Sequence, residues 1–180
     1  MKQSQFIPAA RFNFLTPFFD TLCNVGGLGK KYRRRIIESL NISKGQIRVM
    51  DAGCGTGSLA IEVKKEFRNI SLYAVDADYN ILAIAEKKAQ ENKQKINFKK
   101  AFLQKLPFSN NSIDVVYSSL VFHHLNTEVK KEAMKEIYRV LKKDGKFLLI
   151  YFGEPKNKLV SVISWFTVIF ENGYDNYKGK

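Results

Sequence analysis

The amino-acid sequence predicts an α/β protein with a parallel sheet covered by helices on both faces. Short apolar runs rich in Val, Ile and Leu alternate with longer segments whose apolar residues recur at helical spacing. Short buried strands joined by helices in this way build a parallel sheet. A chain of 180 residues with 45% hydrophobic content has the size of one domain with one core.

Each element follows from its local pattern. Five apolar runs have the composition of buried strands: 46–52, 70–76, 95–101, 112–121 and 146–152. Three amphipathic segments lie between strands and predict helices over 58–67, 79–93 and 127–145. Gly145 suits the left-handed residue that often follows a helix.

Composition limits the classes of function. The net charge is +13, from 30 Lys and Arg against 17 Asp and Glu, which suits an anionic partner or simply a basic, soluble protein. Cys23 and Cys54 are far apart and have neither a CxxC motif nor a nearby His, so no disulfide framework and no metal site is expected. The N-terminus has no signal-peptide pattern, and the apolar tract 159–170 is too short to span a bilayer. A cytoplasmic protein is the expectation.

A glycine-rich turn directly follows the first strand. In "VMDAGCGTG" (49–57), Asp51 ends the apolar run, and glycines stand at positions 53, 55 and 57. Ligands of open parallel sheets bind at the carboxyl ends of the strands, and small residues let the backbone approach them. The spacing is not the GxGxxG of a dinucleotide site. Because an acid beside the turn disfavours a pyrophosphate, the pattern predicts a ligand that carries an amino group or a sulfonium.

Four motifs in order resemble the class I S-adenosylmethionine-dependent methyltransferases. They are "VMDAGCGTG", "VDAD" (75–78), "LPFSNNSIDVVYSSLVFHHL" (106–125) and "IYRVLKKDGKFLLI" (137–150). The last two resemble the ubiquinone-biosynthesis-like group of small-molecule methyltransferases. The resemblance implies a Rossmann-like, doubly wound sheet in the order 3-2-1-4-5. It also implies S-adenosylmethionine as cofactor.

The resemblance assigns the cofactor site residue by residue. Asp51, Gly53 and Gly55 would line the methionine end, and Asp76 would accept hydrogen bonds from both ribose hydroxyls. The remaining positions would flank the adenine or place backbone near the methyl group: Ala77, Leu103 and Ser118. The family often has an acid where this sequence has Phe102.

Methyl transfer from a sulfonium demands little of side chains, because the donor is already activated and positioning can suffice. His123 and His124, which follow the fourth strand, are the candidates for a general base. Asp114 begins its strand at the opposite end of the sheet, so a structural role is expected. Cys54 is expected to pack as a small residue.

The resemblance also divides the chain. Residues 1–45 would form an N-terminal helical cap, residues 46–152 the cofactor-binding core, and residues 153–180 an incomplete C-terminal lid segment. Both flanks contain aromatic residues that predict either an apolar pocket lid or ordinary core packing: Phe12, Phe14, Phe18, Phe19, Trp165, Phe166 and Phe170. With the lid, the acceptor would be a small, apolar molecule such as a quinone precursor or a lipid.

Three alternatives stay open. The segment "KKYRRRIIESL" (30–40) predicts an amphipathic helix whose basic face is either solvated or in contact with an anionic membrane. A nucleic-acid methyltransferase would use the positive charge, but "YSSLVFHH" lacks the proline-containing motif of the amino-directed ones, which disfavours nucleic acid as partner. A cofactor-binding module without turnover is the third.

The C-terminus carries one further expectation. The resembling family adds a helix and an antiparallel hairpin after the fifth strand, and the residues after 152 are too few for both. The hairpin is therefore expected to be absent. The open edge of the fifth strand would favour a homo-oligomer.

Overall fold

The structure is a computed structural model of the 180-residue chain and describes residues 29–42, 45 and 47–151. The predicted aromatic flanks, the apolar tract 159–170 and the C-terminal lid segment lie outside these residues. Of the helices in the described ranges, none has the length and apolarity that crossing a membrane would require.

Five parallel strands form the sheet, in the order β3-β2-β1-β4-β5. The strands are β1 Arg48–Ala52, β2 Ser71–Asp76, β3 Asn97–Lys100, β4 Ile113–Ser119 and β5 Leu141–Ile150. This confirms the predicted fold class and strand order. The central strands are almost fully buried, as strands covered on both faces must be.

Four α-helices lie in the described part of the chain: α1 Lys30–Leu40, α2 Ser58–Glu66, α3 Tyr79–Glu91 and α4 Thr127–Val140. A short 3₁₀ helix covers Phe122–His124. Side chains of α1, α2 and α3 pack in one hydrophobic cluster with one face of the sheet, and those of α4 pack in a second cluster with the other face. The alternation of strand side chains between faces explains the two clusters.

The predicted helix over 127–145 is wrong at its C-terminus, because α4 ends at Val140. The amides of Asn111 and Ser112 donate to the carbonyls of Arg139 and Val140, at 3.0 and 2.8 Å. Because those carbonyls accept these amides, the chain leaves the helix there, and Leu141 pairs with β4 and starts β5. Gly145 therefore lies in an irregular part of β5 and has no left-handed φ.

The fourth strand also ends earlier than predicted. Leu120 has φ 59°, a left-handed conformation that residues other than Gly rarely adopt and that departs from the extended backbone of a strand. The chain turns there and enters the 3₁₀ helix. The two histidines consequently lie beside the carboxyl end of β4.

Candidate functional site

The glycine turn joins β1 to α2 and is folded against β2. The amides of Gly53 and Cys54 both donate to the Val75 carbonyl, at 2.8 and 3.0 Å. Gly53, Gly55 and Gly57 have φ of 84°, 52° and 75°. Left-handed conformations at alternate positions explain why the sequence has glycine at each of them.

The three glycines differ in what surrounds them. A Cβ on Gly53 would lie 2.3 Å from Val121 Cγ2, and one on Gly57 would lie 2.9 Å from the Ala85 Cβ. At these two positions glycine makes room for the protein's own side chains. A Cβ on Gly55 would meet nothing within 4 Å. Gly55 is therefore the position of the turn at which bare backbone faces open space.

Asp76 ends β2 and fixes the turn from the other side. Its Oδ2 accepts the Gly55 amide at 2.9 Å, and its Oδ1 accepts the Asp78 amide at 3.0 Å. Burial raises the pKa of this carboxyl, although the amide hydrogen bonds oppose the rise. A carboxylate has about four acceptor positions, so Asp76 keeps acceptor capacity for a ligand hydroxyl beyond these amides.

Asp51 lies in β1 directly opposite Tyr117 of β4. Both side chains are almost completely buried, and among the described residues neither Asp51 Oδ2 nor the Tyr117 hydroxyl has a hydrogen-bond partner in proper geometry. Burial raises the pKa of Asp51 to about 8; the nearby Tyr117 hydroxyl opposes this shift and Asp76 adds to it. A buried carboxyl without a counter-charge is costly when ionised, and a ligand cation would relieve that cost.

The other predicted positions lie at the same edge of the sheet. The Ser118 hydroxyl is buried and donates to the Ala52 carbonyl at 2.7 Å, so that β4 and β1 are joined beside the turn. Ala77 follows Asp76, and Leu103 is buried in the cluster that contains Ala52. The structure thus brings the ends of β1, β2 and β4 and the segment after β3 together.

His123 and His124 lie in the 3₁₀ helix with their ring centroids 3.8 Å apart. Burial lowers the pKa of His123 to about 4, with contributions from His124 and Lys130. Burial also lowers the pKa of His124. Both rings are therefore neutral at pH 7.

Two residues outside the site have the roles that the sequence predicts for them. Asp114 accepts the Arg48 amide at 2.8 Å and the Lys142 ammonium at 2.7 Å, at the end of the sheet away from the glycine turn. Cys54 is buried in the core, and burial raises its pKa well above the usual thiol range. Their contacts are those of structural groups.

Sequence reasoning missed two contacts of α1. The Tyr32 hydroxyl lies 3.1 Å from Ser119 Oγ at the end of β4, and Arg33 Nε donates to Glu62 of α2 at 2.7 Å. Arg33 belongs to the basic segment 30–35, but its side chain is only 12% exposed. Of these two contacts, helical spacing indicates only that Tyr32 lies on the inward face of α1.

A family model for a methyltransferase domain matches residues 49–145. The chain belongs to the class I S-adenosylmethionine-dependent methyltransferases. The match begins in β1 and ends in β5, and it therefore includes the glycine turn, Asp76 and both histidines. No cluster of His, Cys, Asp and Glu suited to a metal ion occurs in the part of this methyltransferase that the structure describes.

Its relatives include enzymes named for quinone chemistry. The chain is 30% identical over 156 residues to a demethylmenaquinone methyltransferase of Lactobacillus johnsonii, covering 84% of this chain and 63% of that enzyme. It is also 30% identical over 146 residues to a demethylmenaquinone methyltransferase of Thermus thermophilus, covering 80% and 65%. The methyltransferase described here thus spans somewhat less than two thirds of these relatives.

Solved structures share the fold. The YcgJ protein of Bacillus subtilis has a TM-score of 0.62 and 26% identity, over 72% of this chain and 54% of that protein. The phosphoethanolamine N-methyltransferase 2 of Haemonchus contortus, solved with S-adenosyl-L-methionine, has a TM-score of 0.70 and 20% identity, over 93% and 40%. The second likeness is one of fold alone.

Proposed function

We propose that this methyltransferase binds S-adenosylmethionine at the carboxyl ends of β1 and β2 and methylates a small, apolar molecule. The observation that carries the proposal is the buried Asp51 carboxyl, whose Oδ2 has no hydrogen-bond partner among the described residues, beside the turn at Gly55, with Asp76 joined to that turn at 2.9 Å. A buried acid next to exposed backbone suits a ligand whose amino group bears a positive charge. When bound, S-adenosylmethionine supplies a methyl group already activated by the sulfonium.

The residues present have separate tasks in this proposal. Asp51 would bind the ammonium of the methionine part, and bare backbone at Gly55 would let the cofactor approach the turn. The free acceptor positions of Asp76 would bind the ribose hydroxyls. Ala77 and Leu103 would contact the adenine, and Ser118 would place backbone near the methyl group.

Proton removal from the acceptor would fall to His123 or His124. Their lowered pKa values keep both rings neutral at pH 7, but they also make each ring a weaker base than an imidazole that titrates near neutrality. Both follow the end of β4, near which the acceptor would lie. Replacement of each histidine by Gln would reduce turnover and leave cofactor affinity unchanged if that histidine is the base.

A quinone precursor or a lipid-like molecule is the favoured acceptor, since two relatives are named for demethylmenaquinone methylation. The direct test incubates the protein and cofactor carrying a labelled methyl group with fractionated cell extract. Label in an organic-solvent fraction would support an apolar acceptor, and label in nucleic acid would favour the nucleic-acid alternative. Tight binding of S-adenosylhomocysteine with no labelled product in any fraction would favour a module without turnover.

A further inference from the structure

Tyr117 and Asp51 form a buried polar pair inside the sheet. They are register partners on the neighbouring parallel strands β4 and β1, so both side chains lie on the same face. Tyr117 is fully buried and Asp51 is only 2% exposed. Among the described residues, neither the Tyr117 hydroxyl nor Asp51 Oδ2 has a hydrogen-bond partner. Leaving a buried hydroxyl without a partner lowers stability, and a Phe of the same shape would avoid that loss.

The titratable groups that act on this pair are acids. Burial raises the pKa of Asp51, and Asp76 at the end of β2 adds to the rise. Burial likewise raises the pKa of Cys54 in the glycine turn, with additions from both carboxyls. The Tyr117 hydroxyl acts on Asp51 in the opposite sense, because an O–H that donates to a carboxylate favours the ionised form.

Helices α1, α2 and α3 pack over the same face of the sheet. Arg33 of α1 binds Glu62 of α2 at 2.7 Å. Lys88 of α3 donates to the Ser58 hydroxyl of α2 at 2.6 Å. Both cations thus serve contacts between helices, and the ionised form of Asp51 gains from the neighbouring hydroxyl and from a cation that a ligand brings.

We propose that Tyr117 is a positioning residue of the cofactor site, whose hydroxyl donates to the Asp51 carboxylate when that carboxylate binds the ligand ammonium. The proposal rests on the proposed function, because it takes the same ligand at the same acid. The proton that Asp51 loses on binding passes to solvent, and the hydrogen bond fixes the direction in which the carboxylate faces the ligand. Because the hydroxyl favours ionised Asp51 with or without ligand, its loss should weaken binding only where the unliganded Asp51 is protonated.

Calorimetric titration of S-adenosylhomocysteine into the wild type and Tyr117→Phe at pH 7, 8 and 9 tests this inference without any acceptor. At pH 7 the variant should bind about tenfold more weakly, which is the low end of what a hydrogen bond to a charged group contributes. The pKa of Asp51 is about 8 in the wild type. At pH 9 the difference should therefore shrink to about twofold, because Asp51 is then mostly ionised in the wild type and about half ionised in the variant. Titration of the ligand's amino group, of Asp76 and of Cys54 is common to both proteins and cancels in the ratio.

The number of protons released on binding is a second readout, measured by calorimetry in two buffers of different ionisation enthalpy. At pH 8 Asp51 should release about 0.5 proton in the wild type and about 0.9 in Tyr117→Phe, because the variant holds this proton to about one pH unit higher. A role of Tyr117 confined to packing would change neither this number nor the pH dependence of the affinity ratio.

Tyr73→Phe is the matched control. Tyr73 lies in β2 and packs against the other face of the sheet, where its ring meets Phe108 edge-on at 5.2 Å. Loss of its hydroxyl should leave the affinity unchanged at all three pH values. Tyr117→Phe is expected to fold, because it removes only an oxygen without a partner among the described residues, and urea midpoints of both variants check this.

Three results would overturn the inference and leave the proposed function intact. They are a loss of affinity in Tyr117→Phe that is the same at every pH, no loss at pH 7, and an equal pH-dependent loss in Tyr73→Phe. Failure of the wild type to bind S-adenosylhomocysteine would overturn the proposed function together with this inference.

Discussion

The wild type should lose stability as the pH rises, and Asp51→Asn should not show this loss. Asp51 is fully buried, and its pKa of about 8 in the folded protein compares with an ordinary value of 3.8. Between these values the folded protein holds a proton on Asp51 that the unfolded chain has lost. The stability that this proton provides is complete below pH 3.8 and is lost as the pH rises through 8.

The size of the effect follows from the linkage between protons and folding. Each pH unit between the two pKa values lowers the free energy of unfolding by about 1.4 kcal/mol. From pH 5 to pH 8 the wild type should therefore lose about 4 kcal/mol relative to Asp51→Asn, whose amide does not titrate. At pH 5 the two proteins should be close in stability, because the amide and the protonated carboxyl have nearly the same shape.

Urea unfolding of both proteins at pH 5, 6, 7 and 8 measures this difference. The lowered pKa of His123 acts in the opposite sense, since its contribution to stability is lost as the pH falls below 6.5 towards 4. That contribution is common to both proteins and cancels in the comparison. Parallel stability curves for wild type and variant would refute the reasoning, because they would mean that Asp51 is ionised throughout or has no raised pKa.

The same carboxyl links pH to the proposed ligand. A cation bound beside Asp51 stabilises the ionised form, so S-adenosylhomocysteine should raise the unfolding midpoint of the wild type more at pH 8 than at pH 6. Asp51→Asn should show a smaller increase between these pH values. The variant serves as the control for titration of the ligand's own amino group.

The remaining predictions concern Asp76, the glycine turn and α1. Asp76→Ala should weaken S-adenosylhomocysteine binding by about 2 to 4 kcal/mol in calorimetry, because hydrogen bonds to charged groups contribute roughly 1.5 to 3 kcal/mol each. It should also lower the free energy of unfolding, since two backbone amides lose their acceptor. Unchanged affinity would contradict the role of Asp76 in binding. Gly53→Ala should unfold at much lower urea concentration than Gly55→Ala, because the Gly55 variant is destabilised only by a left-handed Ala, about 1 to 2 kcal/mol. Equal midpoints would contradict the predicted clash of a Cβ at position 53 with Val121. Arg33→Ala should lower the free energy of unfolding by about 1 to 2 kcal/mol, whereas loss of the solvated Arg34 should leave it nearly unchanged. If the exposed basic face of α1 meets a membrane, sedimentation with anionic vesicles should fall as salt rises, and no binding at low salt would leave it a solvated face.

The sheet could be predicted from the sequence because each strand has a local apolar pattern. Residues 49–52 and 113–118 form apolar runs whatever the rest of the chain does, and Gly and Asp mark the turn after β1. The cofactor half of the candidate site is built from these same short segments. Asp51, Gly55 and Asp76 could therefore be placed at one edge before any contact was known.

Element ends and electrostatic roles could not be predicted in this way, because they depend on distant parts of the chain. The α4 helix ends at Val140 through amides that lie 28 residues earlier in the chain. The inward position of Arg33 depends on Glu62, and the raised pKa of Asp51 depends on its complete burial in the sheet. The pattern of a single helix or strand does not indicate which distant residues will contact it.

The difference between local and distant contacts also explains why the acceptor is harder to predict from the sequence than the cofactor. The side of the site beyond Ser118 is made where α1 meets the end of β4, through the Tyr32 and Ser119 hydroxyls 87 positions apart. The next residue, Arg33, binds Glu62 of α2, so two adjacent side chains hold α1 to both neighbours of the glycine turn. Changes on α1 could therefore alter what reaches the end of β4 while Asp51, Gly55 and Asp76 stay in place. Under the proposed function, the choice of acceptor would thus depend on the docking of α1. The cofactor contacts would depend on the end of β1, the glycine turn and the end of β2.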